Sequence, residues 1–380
     1  MGNVSLKHIG LLTSSRADFG IYLPLIRALQ KTDWCNLEII AFGTHLSKLH
    51  GYTLKEIQQQ NITVSHTIDT MPAGDSAEAI ACAIGLTQIR FAAFWASKHK
   101  HYDLVFCLGD RYEMFAAVMA GVPFGIKFAH LHGGETTLGA IDNVFRHAIS
   151  HASWCHFTAT AAYAERLHVM LDVKERIYNT GSISLENLIN SPLLTTAAFQ
   201  EKFGIDITKP TILATLHPET VNLTVNARMA TDFAQVVKNF AAKGYQWLIT
   251  LPNADTQGNA IREVFKATLE GVTHVYLREN LGVNGYFSAL KHCNLLVGNS
   301  SSGIIEAASF GKFVINLGNR QQGRLTSDNV INIEHPTVEN LNIIIDQYVN
   351  TTYVGTNIYA KGGGTKKIIE IISDLLHGYE

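Results

Sequence analysis

At 380 residues the chain exceeds what one hydrophobic core usually supports, so two domains of ordinary size are expected. Apolar residues make up 47% and charged residues 16%, which excludes a disordered or highly charged scaffold and fits a well-buried α/β protein. A formal net charge of −2 excludes any general attraction to nucleic acid or an anionic membrane, so an anionic ligand must be held by local arginines and backbone N–H groups.

Along the chain, short β-rich runs alternate with longer helical ones, the rhythm of βαβ units in parallel sheets. In the first half, strands are expected at His8–Thr13, Leu37–Phe42, Thr63–Ile68, Leu104–Leu108, Gly125–His130 and Cys155–Ala159. Helices fall between them at Ile21–Lys31, Ser76–Lys98, Tyr112–Ala120, Asp142–Ala152 and Ala161–Leu171. The second half repeats the pattern, with strands at Thr211–Thr215, Gln246–Thr250, His274–Tyr276, Asn294–Val297 and Phe313–Asn316. Its helices are expected at Ala227–Lys243, Asn259–Leu269, Gly285–Leu290, Gly303–Phe310 and Val338–Val349. Gly, Ser, Asn and Pro cluster over Gly181–Pro192, which predicts a break between an N-terminal domain at 1–180 and a C-terminal one at 181–380. A last helix near Thr365–Leu376 could pack on either half. The predicted fold class is α/β, with two doubly wound Rossmann-like domains that take ligands at the carboxyl ends of their strands.

Met1 leads almost directly into Lys7–Ser14, which reads as a first strand and not as a signal peptide. Leu6 breaks the myristoylation pattern after Gly2, and no apolar run is read as long enough to span a bilayer. A cytoplasmic protein without membrane or nucleic-acid partners is expected. Cys35, Cys82, Cys107, Cys155 and Cys293 are scattered with no C-x-x-C pair, so neither a zinc site nor a disulfide framework is predicted.

Polar and Gly-rich clusters recur where strands end. The first, Thr13 to Gly20, contains Ser14, Ser15, Arg16 and Asp18; it could receive a phosphate at a helix N-terminus with Arg16 as clamp, or simply cap the helix. It lacks the glycine patterns of dinucleotide and P-loop sites, so no such cofactor is expected. The second is Gly109-Asp110-Arg111-Tyr112-Glu113, and the third is His130-Leu131-His132-Gly133-Gly134-Glu135, followed by Asp142 and Arg146. Asp142 and Arg146 are four apart, hence on one helix face. Asp110, Glu135 and Asp142 supply carboxylates whose proton affinities can be pushed apart for acid/base work. His130-x-His132 has no further Cys or His at metal-ligand spacing, so no metal is expected there.

In the second half, His217-Pro218-Glu219 and Leu251-Pro252-Asn253 follow strands at their carboxyl ends. Gly298-Asn299-Ser300-Ser301-Ser302-Gly303 offers three hydroxyls and successive N–H groups to a phosphate, and Glu306 one turn on could accept from a ribose diol. Arg320 and Arg324 could add neutralising charge.

Taken together these stretches resemble the UDP-N-acetylglucosamine 2-epimerase family, in particular its hydrolysing branch that feeds sialic-acid-type sugar synthesis. The matching residues are Ser15–Asp18, Gly109–Arg111, Gly133–Glu135, Ala140–Asp142, Arg146–Ile149, His217-Pro218, Gly298–Ile304 and Gly318–Arg324 through to Val330. The resemblance implies a GT-B fold with the active site in the cleft between its domains, a UDP-sugar substrate, no cofactor and a homodimer or homotetramer. It also implies elimination of UDP to a 2-acetamidoglucal followed by hydration, giving UDP and N-acetylmannosamine from UDP-N-acetylglucosamine. By motif position, Asp110 and Asp142 are the acid/base carboxylates, Arg146 and His217 orient them or hold phosphates, and Asp18 lies near the sugar. Arg16, Arg111, Asn253, Ser300, Ser301, Ser302, Gly303, Glu306 and Arg320 fall at nucleotide-binding positions.

One departure stands out. Where family members acting on plain UDP-N-acetylglucosamine often carry a glutamate, this chain has His132, and Thr136–Gly139 is one residue longer. Either Glu135 takes over that carboxylate's role or His132 transfers the proton. The change also fits a 2,4-diacetamido-trideoxy sugar of the legionaminic-acid route, with UDP-N-acetylglucosamine taken first.

Overall fold

The computed structural model describes residues 6–72, 74, 76–187, 193–252 and 258–378. The chain divides into two compact units. The first comprises Met1–Glu135, Asp142–Asn190 and Tyr359–Glu380; the second comprises Thr136–Ile141 and Ser191–Ile358.

In the first unit seven parallel strands run β1 (Lys7–Thr13), β2 (Cys35–Phe42), β3 (His66–Ile68), β4 (Leu104–Leu108), β5 (Phe128–Leu131), β6 (Cys155–Thr158) and β7 (Ile177–Asn179). Their order across the sheet is β3-β2-β1-β4-β5-β6-β7. The central strand β4, Leu-Val-Phe-Cys-Leu, is buried at every position, as a strand covered on both faces requires. One face packs Ile9, Leu11 and Phe106 against the helix Arg16–Leu29 and the last helix, Gly364–His377, through Tyr22, Ile26, Ile368 and Ile372. The other packs Leu12, Val105 and Phe128 against Phe91 and Trp95.

The second unit has six parallel strands: β8 (Thr211–Thr215), β9 (Gln246–Thr250), β10 (Val275–Arg278), β11 (Leu295–Gly298), β12 (Val314–Leu317) and β13 (Val330–Ile333). Their order is β10-β9-β8-β11-β12-β13. The helices Asn226–Ala242, Gly258–Leu269 and Val338–Tyr348 seal its core with Phe233, Phe240, Phe265 and Ile345 around Trp247. Both sheets are doubly wound and parallel, as expected for a GT-B protein.

Several boundaries differ from the sequence reading. The first unit continues past residue 180: Asn187 Nδ2 donates to the Gly20 carbonyl at 2.7 Å. It also takes back the chain end, where the hydroxyls of Tyr163 and Tyr359 meet at 2.9 Å and Thr365 N–H donates to Glu186 at 2.9 Å. The half-buried strands β7 and β13 were not predicted. The expected helix Gly303–Phe310 is a five-residue α-helix, Ser301–Ile305, followed by a 3-10 turn at Ala307–Phe310. The expectation that no apolar run could span a bilayer also fails. Helix Ala77–Lys98, 22 residues long and containing an 18-residue stretch of mean hydropathy 1.5, passes on length and composition. Here it lies on the helix Tyr112–Gly121, with Trp95 Nε1 donating to the Ala117 carbonyl at 3.0 Å.

Candidate active site

In the first sheet the winding reverses between β1 and β4, and in the second between β8 and β11. Parallel open sheets collect ligands outside the carboxyl ends of strands at such points.

After β1, the buried Asp18 accepts from Thr13 Oγ1 at 2.6 Å, from Ser14 Oγ at 2.8 Å and from Ser14 N–H at 2.8 Å. Ser15 and Asp18 form a reciprocal capping box at the start of Arg16–Leu29. The Asp18 carboxylate therefore fixes the turn, and the half-buried Arg16 is the first helical residue.

After β4, Gly109 turns the chain at φ +77, followed by Asp110. Arg111 caps the next helix and donates twice to the fully buried Glu113, at 3.2 and 3.0 Å, so its guanidinium is positioned by that carboxylate. His130, in β5, is structural. Its Nε2 meets the Gly109 carbonyl at 2.9 Å and its Nδ1 meets Ser150 Oγ at 3.0 Å. A carbonyl only accepts, so Nε2 carries the proton and Nδ1 accepts from the serine. Burial, offset in part by the bond to Gly109, pushes this imidazole down to about 3.

The loop after β5 carries the chemistry-bearing network. His132 Nδ1 lies 2.7 Å from Glu135 Oε1, both side chains being buried. Arg146, buried in the helix Asp142–His151, donates Nη1–H to the His132 carbonyl at 2.9 Å and lies 3.6 Å from Glu135 Oε2. Its Nη2 pairs with Asp110. One guanidinium thus ties together two carboxylates and the backbone of a histidine from two separate loops. Asp142, half-buried, opens the same helix one turn before Arg146. Four expected residues, Asp110, His132, Glu135 and Arg146, are joined by direct contacts.

Thr136–Ile141 belongs to the second unit. Leu138 N–H donates to the Gln322 carbonyl at 2.9 Å, and Ile141 N–H donates to Thr220 Oγ1 at 2.9 Å. A Cβ on Gly139 would fall 2.0 Å from the Asn319 carbonyl oxygen, so that contact requires glycine.

In the second unit, β8 leads to the buried His217 and β11 to Asn299. The Asn299 side chain bridges the loops: Oδ1 accepts from His217 N–H at 2.7 Å and Nδ2 donates to the His217 carbonyl at 2.9 Å. The Asn299 carbonyl in turn accepts from Gln321 Nε2 at 2.8 Å and Arg320 Nη1 at 3.3 Å. Ser300 caps the five-residue helix that holds Ser301, Ser302 and Gly303, and Glu306 follows, buried, at its end. Tyr286 sits beside these residues. Burial, reinforced by the Glu306 charge, raises its phenol well above the ordinary range, while the Ser302 and Ser300 hydroxyls oppose the shift. Asn253 lies outside the described residues.

Asn299, Gln321 and Tyr286 were not singled out as site residues from the sequence. A buried asparagine beside three serines carried a signal only in hindsight of its backbone partners. Tyr286 sits on an apolar helix face and carried none.

The two parallel sheets and their polar loops define an α/β enzyme of the GT-B fold. The chain belongs to the UDP-N-acetylglucosamine 2-epimerase family, whose sequence profile matches residues 27–373. It is 34% identical over 331 residues to the UDP-N,N'-diacetylbacillosamine 2-epimerase (hydrolyzing) of Legionella pneumophila, covering 87% of this chain and 85% of that one. It is 32% identical over 334 residues to the GDP/UDP-N,N'-diacetylbacillosamine 2-epimerase (hydrolyzing) of Campylobacter jejuni, with the same coverage of 87% and 85%. Among solved structures, the UDP-GlcNAc 2-epimerase of Neisseria meningitidis bound to UDP-GlcNAc superposes with a TM-score of 0.79 at 17% identity, over 97% of this chain and 100% of that one.

Proposed function

We propose that the chain is a hydrolysing 2-epimerase that converts a UDP-2-acetamido sugar into UDP and the free 2-epimeric sugar. The observation that carries this reading is the contact network of His132, Glu135, Arg146 and Asp110. In the first step a base removes the C2 proton and the C1–O bond to UDP breaks, leaving a C1=C2 double bond. In the second, water adds its hydroxyl to C1 and a proton reaches C2 from the opposite face. Such chemistry needs one group to take a proton and another to deliver one on the far side of the ring.

The contacts support the following residue roles. An ionised Glu135 only accepts hydrogen bonds, so it fixes the His132 proton on Nδ1 and leaves Nε2 as the ring nitrogen that can take a proton. Glu135 then balances the charge His132 acquires. Asp110, held by Arg146, and Asp142 on the same helix are the second set of acid/base groups. On the second unit, Ser300, Ser301, Ser302, Gly303 and Arg320 would hold the diphosphate and Glu306 the ribose; within the first unit, Arg16 and Arg111 are the candidate cations. His217, fixed by Asn299, orients the leaving group.

For the sugar, the two hydrolysing relatives act on UDP-N,N'-diacetylbacillosamine, and we place it ahead of N-acetylglucosamine, reversing the order taken from the sequence. The test offers each UDP-sugar to the purified protein in D2O with no acceptor. Stoichiometric UDP, with a free 2-epimer deuterated at C2, is expected. Both UDP-sugars persisting unchanged, or a UDP-linked epimer accumulating, would overturn the proposal.

A further inference from the structure

The first sheet gathers a second set of chemistry-bearing side chains, away from the loops at its carboxyl ends. His8 is the second residue of β1, Glu38 lies in β2, His66 opens β3, and His101 and Tyr102 lie in the turn before β4. Glu38 Oε1 lies 2.7 Å from His101 Nε2; Oε2 lies 3.0 Å from His66 Nε2 and accepts from the Tyr102 hydroxyl at 2.8 Å. The His8 and His101 rings pack with centroids 4.4 Å apart. One ligand atom from each of His8, Glu38 and His101 lies within 4.8 Å of the other two. A cavity of about 400 Å³, lined by Glu38, His66 and Lys98, gives solvent access from one side.

A hydrogen-bonded carboxylate accounts for His66, His101 and Tyr102. It does not account for His8, whose buried Nδ1 has no hydrogen-bond partner. An unpaired buried polar atom is costly, and a ring nitrogen with a free lone pair beside a carboxylate and a second imidazole is what a cation would satisfy.

We propose that His8, Glu38 and His101 form a site for a divalent transition metal, zinc being the ion they fit best. Imidazole nitrogen with a single carboxylate suits zinc and its neighbours and disfavours calcium and magnesium, which take oxygen sets. Tetrahedral zinc spaces its ligand atoms about 3.3 Å apart, so the ion enters by opening the 2.7 Å His101 bond to Glu38 by a fraction of an ångström. Each imidazole that gives up Nε2–H to the metal moves that proton to Nδ1, so neutral histidines bind without net proton loss. The bound ion would clamp β1, β2 and the segment before β4.

The test uses the full chain stripped with EDTA. Zinc chloride at a hundredfold excess over Kd is expected to raise Tm by about 5 °C, and magnesium chloride to leave it unchanged. Cobalt(II) in the same position gives a visible d–d absorption band. His8→Gln and His101→Gln should each weaken zinc at least about tenfold and remove the band, without altering metal-free turnover of the UDP-sugar. Binding of equal strength in both variants, or no Tm shift and no cobalt band in the parent protein, would overturn the assignment. Should a variant fail to fold, an anomalous difference peak beside Glu38 in zinc-soaked crystals of the parent protein decides, its absence counting against the site.

Discussion

His132 Nδ1 and Glu135 Oε1 stand 2.7 Å apart within one tight loop, and the backbone of His132 pays for that geometry with a φ of +63. A non-glycine residue in the left-handed region costs of order 1 kcal/mol, and such positions cluster at functional sites. The loop holds it there because His132 N–H donates to the Phe157 carbonyl at 3.0 Å while its own carbonyl receives Arg146.

This pairing predicts a specific kinetic result. Glu135→Gln keeps the shape but removes the anion that sets the His132 tautomer and balances its charge. Turnover should fall by about 10²- to 10⁴-fold, with UDP affinity within a few-fold of the parent. Stopped UDP release alongside calorimetric UDP binding checks it; unchanged kcat would remove Glu135 from the chemistry.

Asp110 and Asp142 separate by the same measurements. Asp110→Asn leaves the buried Arg146 with Glu135 as its remaining carboxylate partner among the contacts described above, so turnover and folding stability should both fall. Asp142→Asn, at the half-buried first turn, should abolish turnover with stability nearly unchanged. Loss of UDP binding in both variants would make them structural.

Much of this was legible in the sequence because buried parallel strands such as Leu104–Leu108 read as unbroken apolar runs bounded by Gly and Asp. The edge strands β7 and β13 were not, being short and half-buried, so their composition lacks that signature. The helix at Ser301 breaks at Glu306, where a continuous apolar pattern concealed the switch to a 3-10 turn. The transfer of Thr136–Ile141 to the second unit depends on Gly139 meeting the Asn319 carbonyl, a contact between positions 180 residues apart that no local pattern encodes. The His8, Glu38, His66 and His101 group was invisible for the same reason: sheet order, not spacing, assembles it.

The Asn299 bridge predicts a binding defect without a direct ligand contact. Asn299→Ala strips both backbone partners from His217 in a buried loop, at about 1–3 kcal/mol for each unpaired group. Arg320 and Gln321 would remain on the Asn299 carbonyl, which the substitution keeps. UDP affinity is expected to drop about tenfold or more, together with a lower unfolding midpoint. Arg320→Ala should weaken UDP while leaving the midpoint in place. Equal midpoints in both variants would show that the bridge does not organise the loop.

Acid should destabilise the first unit through histidines kept neutral by burial. His130 is pushed from 6.5 down to about 3 and His156 from 6.5 to about 4, in each case chiefly by burial. Below pH 6.5 the unfolded chain takes up these protons while the native state refuses them, so stability is full above that value and falls as pH drops toward the native-state values. A full proton difference is worth about 1.4 kcal/mol per pH unit and is only partly developed near the unfolded pKa, so lowering the pH from 6.5 to 5.5 should cost about 2 kcal/mol from the two residues together. Urea unfolding at a series of pH values measures the slope. His130→Asn, which can still donate to the Gly109 carbonyl, should lower stability at neutral pH yet flatten the acid limb by roughly half. A variant with the parent's slope would mean that the proton uptake resides elsewhere, with the buried His45, also depressed mainly by burial, the next to replace.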